Sequence, residues 1–350
     1  MGQLNMVVAS DIQYMALKYY TRGDVLSQTT QDKPLLRILR EKQKTFPGGN
    51  LVISEPVQGA YMSDVGGFFV GYSEDDALVF TQGQNALRAE VNWYEHHAGL
   101  EVSWTELKKD AISVNDSMKT SEHSKADLTR LMSIMKNRTA DYMESWLRIF
   151  NKTLWLDGTQ DAKAVPGVTS ILTDTPTAGT TASLSRVTYA WWRHRALVGN
   201  NKITASAADQ TLTKTLRSEV RQLRRYGGKP DVLLCGSKFI EALELEVHEK
   251  GLYTMEGFKN EGKTDIGMAK ISMRGVGTFE YDPTLDDLGY AKRAYFIDGR
   301  RLKLEPMEGE DMKVLHPERP YNVAVYLQSM TWTGGLVPTQ LNCHGVYEVA

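Results

Sequence analysis

The segment Gly257–Thr264 carries the clearest chemical signature, because its residues GFKNEGKT match the phosphate-loop pattern G-x-x-x-x-G-K-[ST]. In such a loop the backbone amides cradle phosphates, while Lys263 would neutralise them and the Thr264 hydroxyl would hold Mg²⁺. The pattern works only between a buried strand and a helix. The preceding residues 250–256 do not read as a buried strand, so an exposed loop is the favoured interpretation.

Asp298 is the candidate second half of such a site. It ends the apolar run Ala294–Ile297, which predicts a buried strand, and a carboxylate at this place can hold Mg²⁺ beside a phosphate loop. A nucleotide hydrolase that uses Lys263, Thr264 and Asp298 therefore stays open as an alternative function.

The other chemistry-bearing residues do not form a recognisable site. Cys343 and His344 are adjacent, so they offer neither a metal-binding pair on one face nor a catalytic dyad. His96 and His97 are interpreted as a polar strand edge. The sequence therefore predicts no catalytic residue, no metal ligand and no cofactor.

Four arginines line one face of a predicted helix whose other face is apolar: Arg217, Arg221, Arg224 and Arg225. The pair Gly227-Gly228 is placed to end this helix. A solvated amphipathic face is the favoured interpretation of the arginines, and contact with nucleic acid is the alternative.

The composition describes a globular chain that folds in a reducing compartment. With 350 residues, 41% of them hydrophobic, the chain can bury one or two cores. A formal charge of -2 gives no whole-chain signature of nucleic-acid or membrane binding. Two cysteines, no signal peptide and no apolar stretch of about 18 residues together predict cytoplasmic folding without a membrane partner.

The pattern of residues 46–107 predicts a hairpin arm. It contains no lysine, and its apolar residues alternate with polar ones as in a strand. Such an arm has too few neighbours in its own chain to bury both faces, so its apolar side chains are expected to pack on other copies. Before its first basic residue, Arg88, the arm already carries five acids, and this charge favours a basic partner surface. They are Glu55, Asp64, Glu74, Asp75 and Asp76. The residues predicted to contact a neighbouring subunit are Leu51, Ile53, Glu55, Asp64, Phe68, Phe69, Glu74, Asp75 and Asp76. The candidate basic surface that would receive them comprises Lys33, Arg37, Arg40, Lys42 and Lys44.

From about 121 to 154 the period becomes helical, and no Pro or Gly interrupts it. At 1.5 Å per residue this helix would span roughly 45 Å, long enough to serve as a spine for the fold. Asn151 is assigned to its polar face. The apolar stripe includes Leu128, Met135, Trp146, Ile149 and Phe150.

Beyond Gly158 the pattern is that of an α/β or α+β domain. Helices are predicted over 212–225 and from Ser237 through Val247. Strands are predicted at 231–235, 294–297, 302–304 and 321–332. The pair Gly334-Gly335 is expected to break the last of these runs.

This order of parts, a basic arm, an acidic hairpin, a spine helix and a mixed domain, resembles the major capsid proteins of tailed bacteriophages with the HK97-type fold. The resemblance covers nearly the whole chain. Local stretches are similar as well. They are GVTSIL at 167–172, SRVTYAWWR at 185–193, KPDVLLC at 229–235 and the glycine-rich end at 335–337.

The resemblance implies an α+β fold in four parts. These are an N-terminal arm (1–45), an extended E-loop laid over an adjacent subunit (46–107), a P domain with the spine helix (108–155 and 291–330) and an A domain (156–290 and 331–350). It further implies a structural protein that forms pentamers and hexamers in an icosahedral head enclosing double-stranded DNA. Its expected location is the virion capsid, with assembly in the host bacterial cytoplasm.

Two departures from the family refine these expectations. Some members cross-link an E-loop lysine to a neighbouring asparagine, but this arm has no lysine, so noncovalent contacts are expected. Some carry a long N-terminal scaffolding segment, whereas only residues 1–45 precede the arm here. A separate scaffold protein is therefore expected, with a portal, a decoration protein and nonspecific contact with packaged DNA. An encapsulin-like compartment shell with protein cargo is the alternative that shares the fold.

Overall fold

The computed structural model of the chain describes residues 30–59, 61, 68–78, 80, 86–103, 105, 125–206, 208–249, 272–273, 276–315 and 325–350. For residues 125–137, 248–249, 272 and 326 it describes the backbone alone. Within these ranges the chain forms two compact units. The spine unit contains residues 30–31, 96–150 and 309–332, and the sheet unit contains residues 32–95, 151–308 and 333–350.

Six α-helices lie in the described part of the chain, together with short 3-10 turns at Ala190–Trp192 and Gly199–Asn201. None of these helices is long and apolar enough to cross a bilayer. The helices are α1 (Pro34–Glu41), α2 (Lys125–Trp155), α3 (Val168–Ile171), α4 (Thr211–Arg224), α5 (Ser237–Glu249) and α6 (Pro283–Asp287).

The strands of the described residues are numbered in chain order. The first seven are β1 (Val52–Val57), β2 (Leu87–Asn92), β3 (Tyr94–Ser103), β4 (Thr180–Thr181), β5 (Leu184–Ser185), β6 (Arg195–Leu197) and β7 (Val232–Cys235). The remaining seven are β8 (Ser272–Met273), β9 (Gly277–Tyr281), β10 (Arg293–Ile297), β11 (Leu302–Pro306), β12 (Lys313–Val314), β13 (Val325–Pro338) and β14 (Gly345–Glu348).

A six-stranded mixed sheet is the centre of the sheet unit, with strand order β6-β14-β10-β7-β9-β8. Strand β10 runs antiparallel to both of its neighbours, β14 and β7. The pairs β6–β14 and β7–β9 are parallel. The apolar runs of β7 and β10 are buried, as the sequence predicts for strands inside a core.

Helices α4 and α5 pack against this sheet because each presents an apolar stripe at helical spacing. Leu212 and Leu223 of α4 join Phe239 and Leu243 of α5 in one buried cluster with the sheet. The Glu246 carboxylate of α5 accepts the first two hydrogen bonds from the amide end of α4, at 2.8 and 2.9 Å. It therefore caps α4, satisfying amides that the helix itself leaves unpaired. The predicted bounds of both helices are close to those observed.

Strands β1 and β2 form an antiparallel hairpin, in which Val57 lies opposite Leu87. Ile53 of β1 packs with Phe46 and Val337 in a small cluster of the sheet unit. The base of the predicted arm therefore packs on its own chain. The pairing of β2 with β1 ends at Asn92, and β3 pairs with β13 instead, so this hairpin does not extend to residue 107.

Strand β13 is continuous through Gly334-Gly335, where the sequence predicts an interruption. A Cβ atom at Gly335 would lie 3.2 Å from the Asn92 carbonyl oxygen and 3.3 Å from Ile53 Cδ1. The glycine thus permits a close approach of the hairpin without ending the strand. Gly99 likewise lies inside a continuous strand, β3.

Helix α2 agrees with the predicted spine helix. Trp146 and Phe150 are buried as predicted, and the Phe150 ring centroid lies 4.8 Å from that of Trp332. The His96 ring lies 5.9 Å from Trp332, so it contributes to this aromatic cluster of the spine unit. The predicted core residues Leu128 and Met135 have helical backbones, but their side chains lie outside the described residues.

Two assignments on α2 are wrong. Ile149, placed on the apolar stripe, is 65% exposed, whereas Asn151, placed on the polar face, is fully buried. The Asn151 side chain accepts a hydrogen bond from the Leu36 amide at 3.0 Å and donates one to Thr284 Oγ1 at 2.8 Å. Since these partners satisfy the amide, burying it costs little. Periodicity alone does not reveal partners so distant in sequence.

Candidate assembly surface

Asp298 is a structural residue of the sheet unit. Its carboxylate accepts the Lys229 amide at 2.8 Å, the Arg300 amide at 3.0 Å and the Arg300 guanidinium at 2.9 Å. Burial favours the neutral carboxyl, but these donors outweigh burial and hold the pKa of Asp298 below its ordinary value. The carboxylate is thus engaged by the loop that follows its own strand and by the Lys229 amide.

The other two residues of the alternative hydrolase, Lys263 and Thr264, lie outside the described residues. The strand that leads into Asp298 is antiparallel to both neighbours. Asp298 therefore lacks the features of a free Mg²⁺ ligand, and nothing observed favours the hydrolase. Within the described part of the chain no group of three or more His, Cys, Asp or Glu side chains is arranged to hold a metal ion.

Cys343 and His344 are buried side by side. Burial raises the pKa of the Cys343 thiol to about 12, so the thiolate needed for nucleophilic chemistry is not formed at neutral pH. Burial also lowers the pKa of His344 to about 4. The Asp298 amide donates to His344 Nδ1 at 3.1 Å, which leaves the neutral imidazole proton on Nε2.

The hairpin tip, residues 68–78 and 80, exposes large apolar side chains. Phe69 is 97% exposed and Phe80 is 89% exposed. Glu74, Asp75 and Asp76 are exposed beside them, and the Ser73 amide donates to Asp76 Oδ2 at 2.8 Å in a short turn. Exposed aromatic rings close in sequence to exposed acids are typical of a protein–protein contact surface. Asp64 lies outside the described residues.

The hairpin base, residues 51–59 and 86–92, is anchored in three ways. The Glu90 amide donates to the Ala182 carbonyl oxygen at 3.0 Å. The Lys44 ammonium lies 2.6 Å from Glu55 Oε1. Gly59 lies directly against the Trp191 ring, where a Cβ atom would come within 1.8 Å of Cδ2. The base is thus held by its own sheet unit.

The predicted subunit-contact residues accordingly divide into two groups. Ile53 is buried and Glu55 is paired within the chain, whereas Leu51, Phe68 and Phe69 are exposed together with the three acids of the tip. Only the exposed group presents a surface that another copy could cover.

The basic segment before the hairpin also makes contacts inside the sheet unit. Arg37 pairs with Glu280, and Lys42 pairs with Asp231. Lys33 directly precedes α1, and Arg40 lies in its last turn, where a cation interacts favourably with the helix dipole. Arg37, Lys42 and Lys44 therefore have carboxylate partners in their own chain. A contact with a neighbouring copy stays a prediction for this segment.

Two structural residues were not singled out from the sequence. The Asp282 carboxylate accepts the Trp155 indole N–H at 2.7 Å and the Thr284 amide at 2.9 Å, so it joins α2 to the start of α6. The order Asp-Pro-Thr at 282–284 is a helix-start signal that could have indicated this role. Arg186 is the second. It is buried, and its guanidinium donates to Thr173 Oγ1 at 2.6 Å.

Solved structures with this fold cover almost the whole chain. The Cyanophage A-1(L) capsid asymmetric unit gives a TM-score of 0.63 at 17% identity, covering 93% of this chain and 95% of that chain. The capsid of Myoviridae phage XM1 gives 0.55 at 10% identity, with coverage of 93% and 95%. The capsid of an empty GTA particle gives 0.54 at 14% identity, with coverage of 94% and 97%.

The sequence itself matches no protein-family model and no curated protein. The likeness to the solved structures is therefore one of fold, and it confirms the fold that the order of parts predicts. The chain has the α+β, HK97-type fold of tailed-bacteriophage capsid proteins.

Proposed function

We propose that this chain is a major capsid protein that self-assembles as pentamers and hexamers into an icosahedral phage head around double-stranded DNA. The observation that carries the proposal is the hairpin tip, since Phe69 and Phe80 project from a firmly anchored base with their rings exposed. Capsid structures that cover 93% of the chain support the same role. The protein is a structural one, located in the virion capsid.

Closed shells suit such a surface, because a small contact repeated by symmetry adds up to a stable assembly. Because the arm has no lysine, it cannot supply the lysine of an amide cross-link, so its contacts are expected to be apolar and electrostatic. The exposed tip would cover an adjacent subunit, and its acids would meet basic side chains there. A separate scaffold protein, a portal and a decoration protein complete the proposed set of partners. No observation favours protein cargo or nucleotide turnover.

Electron microscopy of the purified chain, alone and with the scaffold protein of the same genome, tests the proposal. Closed shells are expected from the unaltered chain. The variant Phe69→Ser/Phe80→Ser is expected to fold normally but to form no shells, because only exposed apolar area is removed. The matched control Leu245→Ser changes another exposed apolar side chain, 66% exposed on α5, and should assemble. A chain that stays monomeric in both conditions and is absent from virions would refute the proposal.

A further inference from the structure

The exposed face of α4 is a strongly basic surface that the proposed assembly contacts leave unused. Residues 211–229 contain six Lys or Arg and a single carboxylate, Glu219, within a chain of net charge -2. Glu219 is buried and pairs with the Arg195 guanidinium, so it does not offset the charge at the surface. The exposed cations are Lys214, Arg217, Arg221, Arg224, Arg225 and Lys229.

This charge is not explained by requirements of the helix itself. A helix C-terminus attracts cations, which suits Arg224 at the end of α4, but Lys214 lies in the first turn, where the dipole disfavours a cation. Neither Arg217 nor Arg221 forms an ion pair with a carboxylate in the described part of the chain. Lys214, Arg217 and Arg221 are therefore available to a partner.

The chemistry of the face favours phosphate over a second protein. Lys214, Arg217 and Arg221 follow each other at i, i+3 and i+7, so they form one row along the helix. The exposed residue that follows this row, Gln222, is polar, whereas the centre of a protein–protein interface is usually apolar and depleted of charge. Arginine guanidinium groups bind phosphate oxygens with two parallel hydrogen bonds.

We infer that the α4 face binds the phosphate backbone of double-stranded DNA without reading its sequence. The inference rests on the proposed function in one respect, since it makes the enclosed DNA the partner and turns α4 toward the interior of the shell. The row of cations neutralises phosphates and releases counterions, so the binding is strongly salt-dependent. The acidic tip of another copy is the competing occupant.

Binding of the full, unassembled chain to a 30-bp fluorescein-labelled duplex tests the inference by anisotropy over a series of salt concentrations. Four to six phosphate contacts predict a slope of about -3.6 to -5.4 for log K against log salt. The variant Lys214→Gln/Arg217→Gln/Arg221→Gln should reduce the magnitude of the slope by about 2.7, because three contacts are lost.

Two matched variants exclude general charge effects. Lys152→Gln/Lys163→Gln/Lys202→Gln removes three exposed cations elsewhere in the sheet unit and should leave the slope unchanged. Arg217→Lys/Arg221→Lys should retain nearly the full slope, because each ammonium still neutralises a phosphate. Circular dichroism should show the same fold for all variants, since every altered side chain is exposed.

Two outcomes would overturn the inference: an unaltered chain that does not bind the duplex at 50 mM salt, or an α4 variant with an unchanged slope. If the variant with an unchanged slope also loses oligomers in sedimentation, the face is assigned to a contact with another copy. These results are independent of the capsid proposal, because a chain that forms no shells can still bind the duplex.

Discussion

The Trp155 indole N–H donates a hydrogen bond of 2.7 Å to the Asp282 carboxylate, deep inside the sheet unit. Both side chains are fully buried, so water cannot replace either partner. Burial raises the pKa of Asp282, and the indole opposes that rise by stabilising the charged carboxylate. The hydrogen bond thus offsets part of the free-energy cost of burying the Asp282 carboxylate at the start of α6.

Trp155→Phe is expected to lower the free energy of unfolding by about 1–3 kcal/mol at pH 7, because it leaves a buried acceptor unpaired. The loss should shrink as pH falls, since a protonated Asp282 no longer needs the donor. Urea titrations at several pH values measure both effects. Trp93→Phe is the control, because Trp93 Nε1 donates to the exposed Asn50 carbonyl oxygen at 3.1 Å, and water can replace that donor. Equal losses in the two variants would contradict the prediction.

His194 and His344 are expected to make the fold acid-labile. Both are buried, and burial is the main cause that lowers each pKa from 6.5 to about 4. A depressed pKa contributes stability that is present above pH 6.5 and is lost as pH falls toward 4. Within that window the free energy of unfolding falls by about 1.4 kcal/mol per pH unit for each of the two histidines as the pH is lowered.

His194→Gln should remove the contribution of one histidine to the pH dependence of the free energy of unfolding, measured by urea titrations between pH 7 and pH 4.5. The control His97→Gln alters an exposed histidine and should leave the pH dependence unchanged. A His194 variant with the pH profile of the unaltered chain would show that His194 takes up no proton on unfolding.

Gly59→Ala is expected to displace the hairpin base, because its Cβ atom would lie 1.8 Å from the Trp191 ring. The expected loss is about 1–3 kcal/mol, typical of overpacking. The double variant Gly59→Ala/Trp191→Ala should recover part of it in a double-mutant cycle, since the clash is removed. Gly71→Ala is the control, because no atom lies within 4 Å of a Cβ there. Additive losses for positions 59 and 191 would argue against the contact.

Asp298→Ala is expected to lower the free energy of unfolding by about 2–4 kcal/mol, because the Lys229 and Arg300 donors lose a buried acceptor. Urea titration of the two chains measures this loss.

The alternative function as a nucleotide hydrolase is tested by thermal unfolding with Mg·ATP. Mg·ATP should not change the melting temperature of the unaltered chain. If Mg·ATP stabilised the unaltered chain but not Lys263→Ala, the hydrolase alternative would return.

The sequence predicts best where the periodicity is long and local. The run without Pro or Gly that becomes α2 and the apolar run that becomes β10 are both recovered within a few residues. The pairing of β3 with β13 is not recovered, because strand partners are set by packing between residues far apart in the chain.

The candidate surface is predicted only in part for the same reason. The sequence shows that the arm is acidic and the preceding segment basic, but it does not show that Lys44 reaches Glu55 within one chain. Asn151 looks like a surface residue because its partners, Leu36 and Thr284, are more than a hundred positions away. The exposure of Phe69 and Phe80, by contrast, agrees with the predicted shortage of neighbours.

The bare rings of the hairpin tip have a thermal consequence. The stabilisation that comes from burying apolar surface weakens on cooling. Ion pairs such as Lys44–Glu55 do not depend on the hydrophobic effect. A shell whose copies meet through Phe69 and Phe80 would therefore be cold-labile. Its subunits would loosen near 0 °C while each chain, with its own core intact, stayed folded.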